Sequence, residues 1–399
     1  MEFQKIKLHR SEKNRAAVTQ ITLDDDYNVP DYRQDIVKVI KERGELRFDE
    51  VKAMEGAAWI KGSLVFKVLY RSDKQEGKIS CLRGEIPFQE RLNMDGLSEY
   101  DAVHATGDME DLTIGVINSR KLNVRAVIVL TASSEKEVDE ELTCELSDGS
   151  SYEQNIVEKE ALKLLVVRRD ICRQKSEAVL PSSKPNIREI LWQSMQLRSV
   201  ESRLVEGKIR LSGEILVSIL YNDEEEGEHL SWYETTVPLD AQAECGVMED
   251  DCIWQVQMVP LTMELEVKPD YDGEERILVM ELALDTHIRI WKEEKIRLLT
   301  DLYSLQKEVK PVFRECPLEH LLVKNAAKCR MTEQMELKED KEKVLQICSC
   351  EGKVLLERQE IKPDGVLAEG TVEVNILYIT PDDHMPVGAV QEIYPFSQL

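Results

Sequence analysis

GSLVFKVLY (Gly62 to Tyr70), GEILVSILY (Gly213 to Tyr221) and GTVEVNILY (Gly370 to Tyr378) align without a gap. Each opens on glycine, puts apolar residues at every second position and ends on Leu-Tyr, the alternation of a half-buried β-strand. Seventeen residues beyond each tyrosine stands a proline between apolar neighbours: Pro87 in IPF, Pro238 in VPL and Pro395 in YPF. Lacking an N–H, that proline belongs at a strand start or on a sheet edge. Twenty-six residues before each glycine begins an apolar triplet at i, i+3, i+4: Ile36/Val39/Ile40, Ile187/Ile190/Leu191 and Val344/Ile347/Cys348. This spacing predicts one face of a short amphipathic helix. Its N-caps would be Asp31, Ser182 or Ser183, and Asp340. The register holds through all three copies, so the chain is an array of one repeated unit.

In the second copy the inward set would be Ile209, Leu211, Gly213, Ile215, Val217, Ile219 and Tyr221. The glycine in mid-run permits a bulge or bend. The tyrosine can bury its ring and keep its hydroxyl wet or bonded at the strand end. The repeat-defining residues Gly62, Tyr70, Pro87, Gly213, Tyr221, Pro238, Gly370, Tyr378 and Pro395 therefore read as determinants of fold, not of binding. Arg120 to Ala132 alternates as a further strand. Pro260 to Leu284 reads as a hairpin turning at Asp270 to Gly273.

The expected fold is mainly β (α+β). It has three tandem repeats, at 1–150, 160–306 and 318–399, each a short helix plus an antiparallel β-sandwich or open barrel of six or seven strands. Linkers fall at Glu145 to Gln154 and Lys307 to Pro317. The third repeat is incomplete, because four residues follow Pro395 where the other copies continue for about 60. The expectation is a piece of a longer protein; the alternative is completion by something else.

Composition narrows the function. With 42% apolar and 32% charged residues over 399 positions, several soluble cores are possible. A net charge of −25 repels nucleic acid and anionic lipid and favours basic surfaces or other proteins as partners. No apolar run reaches membrane-spanning length and MEFQKIKLHRSEKNRAAV is no signal peptide, so a cytosolic protein is expected. Nine cysteines, odd in number and scattered, read as buried free thiols.

The residues for chemistry are sparse. Six histidines form no HExxH, and there is no GxSxG elbow, GxGxxG turn or Walker loop. Cys348-Ser-Cys350 would suit a metal or redox pair, but Cys348 aligns with Ile40 and Leu191 and reads as core. The acidic runs Asp223-Glu224-Glu225-Glu226 and Asp24-Asp25-Asp26 read as solvated turns, and the five tryptophans as core or inter-repeat contacts. No catalytic, cofactor or metal site is expected, and the protein reads as no enzyme.

The G-x-hydrophobic-x-hydrophobic-x-hydrophobic-L-Y strand, the blocks IPFQE (Ile86 to Glu90) and YPFSQL (Tyr394 to Leu399), and the upstream VPDYRQDIVKVI resemble the SPOCS domain. That domain occurs in spore-coat morphogenetic proteins of endospore-forming Firmicutes. The tandem arrangement is similar to a clostridial member in which SPOCS units precede a LysM module; no LysM-like segment is present in this sequence. The resemblance implies a scaffold or adaptor on the forespore surface, in mother-cell cytosol, contacting the coat-basement ATPase (SpoIVA) and possibly itself, with no membrane insertion. In that family the LysM module is associated with docking on the ATPase. The alternative, from a different class, is a carbohydrate- or peptidoglycan-binding β-domain array of envelope or phage origin.

Overall fold

The computed structural model describes residues 2–72, 77–147, 152–224, 229–249, 251–326, 328–335 and 343–399. Among them every regular element is a β-strand, and all pairing is antiparallel. The first repeat runs β1 (Phe3–Asn28), β2 (Lys38–Met54), β3 (Ala57–Arg71), β4 (Ile79–Asn93), β5 (Val103–Asn118) and β6 (Lys121–Leu146). Strands β2, β3 and β4 form a meander, while β1, β6 and β5 form a second sheet with β6 in the middle. This second sheet covers the meander's inner face: Leu64, Phe66 and Val68 share one core with Val124, Ala126 and Ile128.

The second repeat copies that plan. It comprises β7 (Glu153–Val179), β8 (Ile187–Val205), β9 (Lys208–Asp223), β10 (Leu230–Glu244), β11 (Cys252–Pro269) and β12 (Glu275–Tyr303). The meander is β8–β9–β10 and the cover is β7–β12–β11, joined by a core of Ile215, Val217, Met280 and Leu282. The turn between β11 and β12 is closed by Asp270, whose carboxylate accepts from the Asp272 and Glu274 amides. The third repeat contributes one meander: β13 (Gln346–Lys362), β14 (Gly365–Ile379) and β15 (Val387–Gln398).

The helices expected at the apolar triplets do not form; each triplet leads into the first meander strand. Asp31, Ser182 and Ser183 lie in the connection before it and start no helix, and Asp340 lies outside the described residues. The cause of the misleading spacing is a β-bulge shared by the three copies. Val39 pairs with Tyr70 and Lys41 with Leu69, leaving Ile40 as the extra residue; Leu191 and Cys348 are extra in the same way. A bulge slips the side-chain phase by one, so neighbouring apolar residues serve both faces of the strand and imitate helical spacing, although Val344 and Ile347 of the third copy stay exposed.

A second irregularity accounts for the repeated glycine. Gly62, Gly213 and Gly370 each face an irregularity in the neighbouring strand, after Phe48, Arg198 and Leu356 respectively. The bulge sits on the neighbour, and the glycine makes room for it. A Cβ on Gly213 would lie 2.9 Å from the Arg198 carbonyl oxygen and 3.0 Å from the Val200 Cα, and Gly62 and Gly370 are crowded by the Arg47 and Leu355 carbonyls. Gly213→Val is therefore expected to destabilise the second repeat by about 1–3 kcal/mol through overpacking against backbone. An unchanged melting temperature would show that the neighbouring strand can simply give way.

The tyrosines end their strands buried and bonded. Tyr70 Oη donates to the Gln34 carbonyl and Tyr221 Oη to the Pro185 carbonyl, each at 3.1 Å. Burial lifts the Tyr221 phenol to about 12, with Ser231 opposing. The connection that each hydroxyl holds is also clasped by an arginine. Arg120 donates to the carbonyls of Val29, Pro30 and Arg33, and Arg276 to those of Leu180, Pro181 and Lys184. One guanidinium thus serves several backbone acceptors that no helix or ladder supplies.

β1 and β7 hydrogen-bond into their sheets through β6 and β12 alone. The segment in the corresponding place of the third repeat, within residues 304–335, has no such middle strand among the described residues and is not a strand. Among the described residues no helix is long and apolar enough to cross a membrane.

Candidate interaction surfaces

The three meanders meet in a ring. β4 touches β8, β10 touches β13, and β15 touches β2, so the last strand of each meander meets the first strand of the next. At the centre lies one shared apolar cluster, in which equivalent positions converge: Ile40, Leu191 and Cys348; Leu69, Leu220 and Leu377; Ile79, Leu230 and Val387. The three bulge residues are thus those that point to the pseudo-threefold axis. Leu69, Leu220 and Leu377 stand on the face opposite the tyrosines, which explains why the strands end in unbroken apolar runs. They are buried on both faces.

Beside this apolar centre the copies differ. Lys41, Trp192 and Ser349 occupy equivalent buried positions; two residues on, Ser194 is buried and its equivalents Arg43 and Glu351 are half-buried. Lys41 Nζ lies 3.6 Å from Glu351 Oε1 and Arg43 Nη1 3.3 Å from Oε2, and the Lys41 ammonium stands 5.4 Å from the Trp192 ring centre. Burial pushes the Glu351 carboxyl up, but Lys41 and Arg43, with Ser194 and Trp192 alongside, outweigh it and hold the group below its ordinary range. Lys41 goes down as well, because burial outweighs the help it receives from Glu351. The pair thus keeps the carboxylate charged at the lysine's expense. Around the ring, Arg33 meets Glu189 at 2.9 Å, Gln196 donates to the Cys350 carbonyl at 2.9 Å, and Arg71 donates to the His384 carbonyl at 3.2 Å.

Between β2, β5 and the outer face of the third meander runs a groove of about 650 Å³, lined by Glu42, Asp111, Glu351, Lys353 and Glu373 among others. Lys353 bridges it by donating to the Met109 carbonyl at 3.2 Å. Burial, and then Asp111, raise the Glu42 carboxyl. A second contact joins the cover sheets of the first two repeats. Leu8, Leu142, Ala161 and Ile296 form a small core there, and Arg289 donates twice to Glu135. His104 and His287 lie 5.4 Å apart beside it, both imidazoles lowered first by burial. Among the described residues no group of three or more His, Cys, Asp or Glu is placed to hold a metal ion.

The residues singled out in the sequence fall as follows. The glycines and tyrosines lie within the meanders. Pro87, Pro238 and Pro395 lie in the edge strands β4, β10 and β15, paired with Ser63, Glu214 and Thr371. Cys348 is on the axis, its thiol pushed by burial to about 12, whereas Cys350 and Cys329 are exposed and depart from the expected buried set. Asp223 is buried, not solvated, and its carboxylate accepts from the His229 amide; Glu225 and Glu226 lie outside the described residues. Asp24, Asp25 and Asp26 stand in strand β1, not a turn, with Asp26 2.7 Å from Lys121. Trp192 and Trp232 belong to the axis cluster. The Lys41–Arg43–Glu351 cluster went unread in the sequence. Its signal was available as positions where otherwise matching copies diverge in charge.

The inner face of the third meander is open. Val354 and Leu356 on β13, Val366 on β14 and Ile361 are exposed, and Val372, Val374 and Ile376 are only half-buried. Their counterparts Leu64, Phe66 and Val68 are fully buried under a cover sheet.

The family model described as SipL, SPOCS domain matches residues 35–117 and 343–399. The first stretch takes in the meander β2–β4 and most of β5, and the second is the meander β13–β15. No curated protein and no solved structure matches the chain.

Proposed function

We propose that this chain, a SipL-like SPOCS-domain protein, is a non-enzymatic scaffold in endospore-coat assembly, binding coat morphogenetic proteins at the forespore surface from the mother-cell cytosol. The family suggests a sporulation-related role. The observation that carries the scaffold reading is the ring itself. The charges beside its centre tie the third repeat to the first, and one apolar cluster joins all three meanders. Such a ring, with no catalytic constellation built into its centre among the described residues, suits protein contact.

The sugar-binding alternative needs aromatic rings lying free beside polar groups. Here Trp192 is buried, and lysine ammoniums stand 4.4 Å over the rings of both Trp232 and Trp254. The tryptophans therefore favour the scaffold reading.

The test is capture of the purified coat-basement ATPase (SpoIVA) by residues 1–399 at low and moderate salt. Binding is expected, and toward a basic surface of the partner its association rate should fall with salt because the chain carries −25. Failure to bind the ATPase or any other purified coat protein at either salt would overturn the scaffold reading.

A further inference from the structure

We infer that the contact between the cover sheets of the first two repeats is a pH-sensitive junction, which loosens when two histidines facing each other across it take up protons. This goes beyond the scaffold reading and does not depend on it. The sheets β1–β6–β5 and β7–β12–β11 meet through β6 and β12 and through β1 and β7. Leu8, Leu142, Ala161 and Ile296 form the apolar part of the contact.

The polar part is built around the two imidazoles. His104 of β5 faces His287 of β12, with ring centres 5.4 Å apart and planes tilted by 40°. Four charged side chains surround them. Arg289 donates to Glu135 of β6 at 2.6 and 3.2 Å, and the Ser11 hydroxyl of β1 donates to the same carboxylate. Arg169 of β7 donates to Asp285 at 2.8 and 3.0 Å. The ladder explains why they gather. His287 pairs with Arg169 across β12 and β7, and Asp285 and Arg289 stand two residues to either side of it, on the same face.

Each guanidinium is thus matched to one carboxylate. With both imidazoles neutral the site carries no net charge; with both protonated it holds two unmatched cations, although Arg289 is only 8% exposed. The carboxylates near the imidazoles are already engaged. Glu135 Oε2 lies 4.0 Å from His287 Nε2 but accepts from Arg289, and Asp285 accepts from Arg169. Protonation therefore sets like charges opposite each other where little water screens them. Burial, then Arg169 for His104 and Arg289 for His287, hold both groups below their ordinary value of 6.5, outweighing Asp285 and Glu135. A folded value below the unfolded one fixes the sign: the neutral pair's contribution is whole above 6.5 and is lost as pH falls from there through the folded values.

The test is amide exchange of residues 1–399 at about pH 7.5 and about pH 5.5, corrected for the intrinsic effect of pH on exchange. At the lower pH, protection is expected to fall several-fold in β5 around His104 and in β12 around His287. Glu351, held below 4.5, stays charged there, so the meanders should keep their protection. His104→Gln/His287→Gln keeps a neutral polar pair and should lose the response, while either single change should weaken it. Equal protection at both pH values in the unaltered chain, or a fall that persists in the double variant, would overturn the inference. If the double variant does not fold, the single variants decide, and an undiminished fall in both would overturn it as well.

Discussion

Glu351→Ala is expected to destabilise the ring by about 3–5 kcal/mol, the usual cost of removing one partner from a buried ion pair. The substitution leaves Lys41, only 7% exposed, without its carboxylate, and Arg43 loses its inter-repeat contact. The loss should appear first in the third meander, whose Cys348, Leu377 and Val387 are buried against the shared axis. Faster amide exchange in β13–β15 than in β2–β4 would show it. The double variant Lys41→Met/Glu351→Leu should recover much of the loss, since an apolar pair carries no desolvation penalty. An alanine variant with unchanged exchange in β13–β15 would show that the charges are incidental to closure. The pH dependence has a definite sign. The folded Glu351 carboxyl lies below its ordinary value of 4.5, so its contribution is present above that pH and is lost as pH falls through the depressed value. Acid should therefore open the ring, and the Glu351→Ala variant should lack that part of the response.

Leu220→Ala should cost about 2–5 kcal/mol, the range for a large-to-small change at a fully packed site. Leu220 sits on the axis, on the face of β9 opposite the second repeat's own core, and is 1% exposed. If the three meanders form one cooperative unit, this change in the second repeat should lower protection in the first and third as well. Ile215→Ala, inside the second repeat's own core, should act mainly on that repeat. Equal spreading from both variants would mean that cooperativity runs through the covalent connections and cover sheets, not the axis.

Much of the meander was legible in the sequence because its signals are local. Apolar residues at every second position mark β3, β9 and β14, and an acidic turn marks the β11–β12 hairpin. The spacing of glycine, tyrosine and proline revealed three copies of one unit. The glycine pointed to a bulge, although the bulge lies on the strand beside it. The helix expectation failed for a specific reason: a bulge at Ile40, Leu191 and Cys348 imitates helical spacing wherever both faces of a strand are buried. Periodicity alone cannot separate those two causes.

What only the tertiary structure decided is how the copies are used. A repeat can show in the sequence that Leu69, Leu220 and Leu377 are equivalent, but not that they touch. Their contact depends on three sheets closing around an axis, and closure is a long-range property to which no local propensity speaks. The same holds for Lys41, Arg43 and Glu351. Glu351 lies some 300 residues from the two cations, and only the ring makes it their neighbour in a site dry enough for the charges to matter.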